Sequence, residues 1–137
     1  MRRPALAIVV AALAACSSGR TGPTGPGNPS PSAQTVSLPV GGEAVVPGTR
    51  VTIEFRDVTE DSRCPSNVVC VWVGNGQVAL TLSTPSDARD VLLNTTSEPR
   101  RIKFAGIRIS LASLAPYPSG EPIDPGDYVA TFEVEPD

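Results

Sequence analysis

The stretch Gln77-Val78-Ala79-Leu80-Thr81-Leu82 places its larger apolar side chains at every second position. Successive side chains of a β-strand point to opposite faces of a sheet, so this period of two predicts a strand that is buried on one face. The same alternation recurs at residues 51–55, 107–111 and 128–134. No stretch has the 3.6-residue period of an amphipathic helix, and the sequence therefore predicts an all-β domain.

Outward from this stretch, short β-branched runs alternate with breaks rich in Gly, Pro, Asn and Ser. These runs predict nine strands, at residues 36–40, 44–46, 51–58, 69–73, 77–82, 91–93, 102–104, 107–114 and 128–134. Asn75-Gly76, between the fourth and fifth runs, is a dipeptide typical of a β-hairpin turn. About 100 residues in eight or nine strands fit a small antiparallel β-sandwich, immunoglobulin-like or a related Greek key, with a small β-barrel as the alternative.

The segment Asp124-Pro125-Gly126-Asp127-Tyr128 matches the D-x-G-x-Y pattern that precedes the tyrosine corner of immunoglobulin-like domains. In such a corner the ring packs under a turn and its hydroxyl bonds to the backbone. The segment lies at the start of the last predicted strand, one strand later than in that family. We therefore expect Tyr128 to be buried beneath a turn.

The first 16 residues have the features of a bacterial lipoprotein signal. Arg2 and Arg3 precede roughly a dozen apolar residues, which are too few to span a bilayer as a helix, since about 20 are needed. Leu13-Ala14-Ala15-Cys16 resembles the lipobox, whose cysteine receives a diacylglyceryl group and becomes the first mature residue. We expect residues 1–15 to be a signal peptide and Cys16 to carry the lipid anchor.

Residues 16–35 predict a linker, because Gly, Pro, Ser and Thr bury too little apolar surface to offset the entropy of ordering. Residues 17–34 would span on the order of 25 Å if flexible and up to about 60 Å if extended. We expect residues 36–137 to form a domain held at a membrane surface outside the cytoplasm. Ser17 favours the outer membrane in a two-membrane organism, and in other bacteria the anchor would lie in the outer face of the plasma membrane.

The composition excludes several classes of function. There is no histidine in the chain, which removes the usual general base and the commonest metal ligand. Without Arg2 and Arg3, 9 basic residues remain of 11, against 14 acidic ones, a net charge of −5. Nucleic-acid binding needs a basic patch, whereas Arg100-Arg101 fits a solvated strand end. We predict no enzyme, no cofactor, no metal and no nucleic-acid partner.

Once Cys16 carries lipid, Cys64 and Cys70 are the two cysteines left. An even pair in an oxidising compartment is expected to form a disulfide. Their spacing is not the C-x-x-C of a redox site. Closing a loop of this length contributes about 2.4 kcal/mol in the chain-entropy view.

The candidate binding residues surround this predicted disulfide. We expect Trp72, the only tryptophan, to pack in the core against the disulfide; the alternative is an exposed platform that stacks on a ligand. Arg63 can form an internal ion pair with Asp61 or present a bidentate fork to an anion, and we favour the internal pair. Asn67 and Asn75 complete the candidate binding loop.

The segments Asp61-Ser62-Arg63-Cys64-Pro65 and Cys70-Val71-Trp72-Val73-Gly74 together resemble the signature of a family of small, uncharacterised bacterial secreted proteins and lipoproteins. The likeness continues at Phe104-Ala105-Gly106, Leu114-Ala115-Pro116-Tyr117-Pro118 and Asp127-Tyr128, whereas Ile107 stands where an aromatic residue is expected. The resemblance implies a β fold and an envelope location, and it carries no established activity.

The remaining candidates for chemistry are carboxylates: Glu60 beside Asp61, and the group Glu121, Asp124 and Asp127. Neither group has the spacing of a calcium loop. The leading hypothesis is a non-enzymatic envelope module that binds a protein or a surface polymer through the disulfide-closed loop. One alternative is an inhibitor of a secreted hydrolase, since a braced loop is ordered before it binds. A structural spacer is the second alternative, and an enzyme built on the Glu121 group comes last.

Overall fold

The computed structural model describes residues 32–137. The predicted signal peptide, Cys16 and most of the predicted linker lie outside the described residues. The described part consists of eight strands and one 3-10 turn, η1 (Pro125–Asp127). The strands are β1 (Gln34–Pro39), β2 (Glu43–Val45), β3 (Thr52–Asp61), β4 (Gly76–Ser83), β5 (Ala88–Asn94), β6 (Arg101–Phe104), β7 (Ile107–Ala115) and β8 (Val129–Pro136). None of these residues forms a helix long and apolar enough to cross a membrane.

The strands form two antiparallel four-stranded sheets, and the predicted β-sandwich is confirmed. One sheet has the order β2-β3-β4-β5, and the other has the order β1-β8-β7-β6. The sheets are not closed into the alternative barrel. Strands β2 to β5 follow one another in one sheet, and β6 to β8 do so in the other. The last strand, β8, also pairs with β1. This order differs from the ABED and CFG sheets of immunoglobulin domains.

The core lies between the two sheets and is built by the alternation that the sequence shows. On β4, Val78, Leu80 and Leu82 are almost completely buried, while the residues between them are partly exposed. Phe55 of β3 meets Phe132 of β8 edge to face, with ring centroids 6.4 Å apart. Every strand pair and every buried hydrophobic side chain of the described part lies within residues 34–136, so this segment contains a complete core of its own.

Eight of the nine predicted strands form, and the run at residues 69–73 does not. Gly76 pairs with Asp61 of β3, so β4 follows β3 in the sheet and residues 62–75 form the connection between them. The predicted hairpin turn at Asn75-Gly76 is therefore wrong. The β-branched residues of the run matched a strand by propensity, but no neighbouring strand is available to pair with them.

The two ends of the sandwich are distinct. At one end, which we call the loop end, β3 ends at Asp61, β4 begins and β7 ends at Ala115. The chain enters at the opposite end, where the Gln34 amide donates a hydrogen bond to the carbonyl of Pro47. With a rise of about 3.3 Å per residue, an eight-residue strand separates the two ends by about 25 Å. The segment that joins β3 to β4 therefore lies at the end far from Gln34, where β1 begins.

Candidate functional site

The segment that joins β3 to β4 is closed by the predicted disulfide. Cys64 and Cys70 lie at disulfide distance, with their Cα atoms 5.9 Å apart. Inside the ring, the Val68 amide donates a hydrogen bond to the Pro65 carbonyl. Near the base of the ring, Cys64 and Val73 approach through a long backbone hydrogen bond of 3.4 Å. We call residues 64–73 the disulfide loop.

The disulfide loop exposes apolar side chains and carries no charged residue. Val69 is fully exposed and Trp72 is 82% exposed. Val68, Val71 and Val73 are also exposed by more than half. The prediction that Trp72 packs in the core against the disulfide is wrong, because Cys70 and residues 71–73 that follow it lie at the surface. The alternative, an exposed aromatic ring, is what the structure shows.

Beneath the loop, Arg63 is buried and bonded on all sides. Its Nε and Nη2 atoms each lie 2.7 Å from an oxygen of Asp61. Nη1 donates to the carbonyl of Leu114, and Nη2 also donates to that of Pro116 at 3.0 Å. Because a guanidinium has five N–H groups, these four bonds leave no fork for an anion. The predicted internal ion pair with Asp61 is confirmed.

Tyr128 joins this cluster from the position between η1 and β8. It is buried, and its hydroxyl donates to Oδ2 of Asp61 at 2.9 Å. The expected tyrosine corner would have bonded the backbone instead, so this partner is a correction. The cluster of Asp61, Arg63 and Tyr128 links β3, β7 and β8 at the loop end. It thereby fixes the root of the disulfide loop to both sheets.

The two acidic groups of this cluster have shifted pKa values. Burial acts to raise the pKa of Asp61, but the hydrogen bonds from Arg63 and Tyr128 and the charge of Arg63 outweigh it, so the pKa lies below the ordinary value. For Tyr128, burial and the hydrogen bond to Asp61 both raise the pKa of the hydroxyl. Asp61 is therefore held as an anion and Tyr128 as a proton donor.

The lowered pKa of Asp61 predicts acid sensitivity. A carboxyl whose folded pKa lies below the unfolded value stabilises the protein above the unfolded pKa, and this contribution is lost as pH falls through the folded pKa. We expect the difference in unfolding free energy between wild type and Asp61→Asn to be constant near neutral pH and to shrink as the pH falls below the ordinary carboxyl pKa of 3.8, in urea titrations followed by circular dichroism. The exposed Asp87→Asn is the control. A difference that stays constant with pH would contradict the assignment.

The return from the loop to β4 is fixed by Asn75, which is buried rather than available to a ligand. Its amide nitrogen donates to Oδ1 of Asn94 at 2.8 Å. Its side-chain oxygen accepts from the backbone amide of Thr96 at 3.2 Å. The backbone groups of Asn75 bond to Ser62 on the other side of the connection. Asn75, a predicted binding residue, thus acts as a structural bridge.

Asn67 is exposed and lies against the segment that follows β7. A side chain at Gly120 would come within 2.8 Å of the Asn67 amide. The neighbouring Ser66 amide donates to the Pro118 carbonyl at 2.9 Å. The disulfide loop is therefore supported along one flank by residues 118–120.

A shallow depression adjoins the loop on its other side, and we call it the loop-end depression. Val73 and Tyr117 line it together with Leu114 and Ser113. Tyr117 is exposed, and the Arg63 guanidinium lies 5.4 Å from the centre of its ring. An exposed apolar loop and a depression lined by apolar and polar side chains, Arg63, Thr95 and Thr96 among the latter, thus share one end of the sandwich.

The carboxylates of the last connection also lie at the loop end, near Asp61 and Tyr128. Glu121 faces the shallow groove that contains Pro65. Asp124 precedes η1 and Asp127 is its last residue, and the Asp127 amide donates to the Asp124 carbonyl. Within residues 32–137, no group of three His, Cys, Asp or Glu side chains is arranged to hold a metal ion.

No protein-family model, curated protein or solved structure matches this chain significantly.

Proposed function

We propose that this chain is a non-enzymatic binding module of the cell envelope, anchored through Cys16, that docks a partner with its disulfide loop. The observation that carries the proposal is the set of five exposed apolar side chains, Trp72 among them, on an uncharged loop. Contiguous exposed apolar surface on a folded domain marks interaction sites. Tryptophan in particular dominates the binding energy of interfaces.

The support beneath the loop fits a docking role. The disulfide, the Arg63 cluster and the Asn75 bridge hold both ends of the loop. A loop that is already ordered loses little conformational entropy on binding, so more of the contact energy appears as affinity. The groups with shifted pKa values at this end, Asp61 and Tyr128, bond to each other. They serve the fold, which supports a binding role rather than proton transfer.

The position of the loop also fits a partner away from the anchoring bilayer. The linker enters at the end of the sandwich that is about 25 Å from the loop end. An anchor at Cys16 would therefore leave the loop free to face outward. In a two-membrane organism we propose that this anchor lies in the outer membrane.

Inhibition of a secreted hydrolase is the second candidate, because Val69 is fully exposed within a closed ring. Such a ring can occupy a cleft while resisting cleavage, since the conformational entropy of the loop is already lost before it binds. Purified domain would be assayed against secreted proteases and lysozymes. Inhibition that is lost in Val69→Asp and retained in Val45→Asp, at the opposite end, would establish this function; no inhibition at high concentration would remove it.

Trp72→Ala tests the proposal, because it should weaken binding and leave stability almost unchanged. Because the ring is mostly exposed, we expect the unfolding free energy to change by less than about 0.5 kcal/mol. Binding should fall sharply, since truncation of an interface tryptophan commonly weakens affinity by more than tenfold. The measurement is photo-cross-linking in living cells, with a photoreactive residue at position 71 of the full lipidated chain and mass spectrometry of the products.

The matched control carries the same photoreactive residue at position 45, which is also exposed but lies at the N-terminal end. A dominant product at position 71 that disappears with Trp72→Ala supports the proposal. Equal product patterns at positions 71 and 45, or products that survive Trp72→Ala, would contradict it.

A further inference from the structure

The two ends of the sandwich differ in how their charges are balanced. Opposite the loop end, Asp137 pairs with Lys103 at 2.8 Å and with Arg108 at 3.1 Å. At the loop end, Arg63 is buried and its charge is balanced by Asp61 at 2.7 Å. Within residues 32–137, the other carboxylates of the loop end take part in no ion pair: Glu60, Glu121, Asp124 and Asp127. The loop end therefore carries an excess of negative charge.

One of these carboxylates, Glu121, lines a groove whose other charged residues neutralise each other. Asp61 and Arg63 also line this groove, and they are the ion pair described above. The Glu121 side chain is exposed, and it gives the groove its unbalanced negative charge. The uncharged walls are mostly apolar and consist of Pro65, Pro118, Gly120, Pro122, Ile123 and Tyr128. We call this surface the Pro65 groove.

The Pro65 groove fits an aliphatic chain that ends in a cation. Lysine and arginine side chains lay their methylene groups along apolar surface and keep the charged head in water at its edge. Walls of proline and isoleucine suit the methylene groups, and the carboxylate of Glu121 suits the head. An anionic ligand would instead be repelled by the excess negative charge of this end.

We propose that the Pro65 groove binds a lysine or arginine side chain of the protein that docks on the disulfide loop, so that this partner presents a basic surface. The inference rests on the proposed binding function and names the chemistry of its partner. Pro65 belongs both to the disulfide loop and to the groove. The Ser66 amide bonds to the Pro118 carbonyl where the two surfaces meet. One partner can therefore contact both surfaces at once.

The groove and the loop would contribute to binding in different ways. An exposed pair of carboxylate and cation adds little affinity, whereas a tryptophan buried in an interface adds much. Excess charge of one sign attracts an oppositely charged partner from a distance and speeds association by about tenfold or more at low salt. We therefore expect the carboxylates to govern the association rate and its salt dependence, and Trp72 to govern the dissociation rate.

Fluorescence of Trp72 tests the inference, because it is the only tryptophan of the chain and lies in the disulfide loop. Residues 17–137, whose described part contains a complete core, would be titrated with a short synthetic peptide of lysine, leucine and serine. The comparison peptide has glutamine in place of each lysine. We expect the lysine peptide to bind roughly tenfold more tightly at low salt, and we expect high salt to remove most of this difference.

Glu121→Gln separates the groove from the general charge of the domain. We expect this change to weaken binding of the lysine peptide about threefold. Combining it with Asp124→Asn and Asp127→Asn should weaken binding about tenfold. The control is Glu133→Gln, which removes an equally exposed carboxylate from the face of β8 and should have little effect. All four side chains are exposed, so thermal unfolding should show almost unchanged stability.

Equal binding of the two peptides, binding of neither, or equal effects of Glu121→Gln and Glu133→Gln would overturn the inference. The proposed binding function fails separately, through the cross-linking from position 71. A product that depends on Trp72 but persists in the triple carboxylate variant retains the binding module and rejects the basic partner. A product that is lost in both variants, and that is attached to a partner segment rich in lysine or arginine, supports both.

Discussion

Replacing Arg63 with alanine is expected to lower the unfolding free energy by about 3–5 kcal/mol, the usual cost of removing one partner of a buried ion pair. The change leaves the carboxylate of Asp61 with Tyr128 as its remaining side-chain donor. It also removes the donor from the carbonyls of Leu114 and Pro116. Because these groups tie β3 to β7, we expect the loop end to loosen first. Urea unfolding followed by circular dichroism measures the loss, and hydrogen exchange locates it.

The control for Arg63→Ala is Arg56→Ala, which removes an exposed ion pair with Asp90 at 3.4 Å. That change should cost less than about 1 kcal/mol. A second control pairs Arg63→Met with Asp61→Asn, since removing both charges leaves no buried charge without a partner. If the single and double variants lost equal stability, the ion pair would not be the cause.

Gly74→Ala is expected to be the most damaging of the glycine substitutions, with a loss of about 3 kcal/mol or more. A Cβ at this position would lie 1.9 Å from the carbonyl oxygen of Ser62, and the φ angle is +72°. Neither backbone can retreat easily, because Ser62 and Asn75 bond to each other across the connection. Thermal and urea unfolding measure the effect.

Gly48→Ala separates the two causes of this loss. Gly48 also has a positive φ, +76°, but a Cβ there would meet no atom within 4 Å. It should therefore cost only the left-handed backbone conformation, about 1–2 kcal/mol. Equal losses at positions 74 and 48 would show that the contact with Ser62 contributes nothing.

The fold was predictable where burial and local pattern agree. On β4, every second side chain is buried, so the alternation was enough to identify the strand. The order of strands within the sheets was not predictable, because strand pairing depends on contacts between residues that are distant in sequence. The hydrogen-bond partner of Tyr128, in the immunoglobulin-like motif, is one example. That partner is Asp61, distant in sequence, and no local pattern reports it.

Residues 69–73 show why local pattern failed at the site. Their valines have strong strand propensity, but propensity reports how well a side chain fits a packed, pleated surface. The disulfide closes the chain just before Val71 and turns the run away from both sheets. Trp72 was expected to pack against the disulfide in the core, but Cys70 and the residues after it lie at the surface.

The candidate site was predictable only where partners are close in sequence. Arg63 and Asp61 are two residues apart, and their ion pair was foreseen. The bonds from Arg63 to the carbonyls of Leu114 and Pro116 span more than 50 residues. The bridge from Asn75 to Asn94 likewise depends on how β4 and β5 pair, so Asn75 was assigned to the wrong role.

The disulfide loop contributes no side chain to the buried core. Its side-chain supports lie at its two ends, in Arg63 and Asn75, while residues 65–69 are held mainly through the backbone, where the Ser66 amide donates to the Pro118 carbonyl. Those five residues can therefore be exchanged with little effect on folding, as in an engineered display scaffold. Substitutions at these few positions would then change the chemistry of the loop surface while the sandwich stays the same.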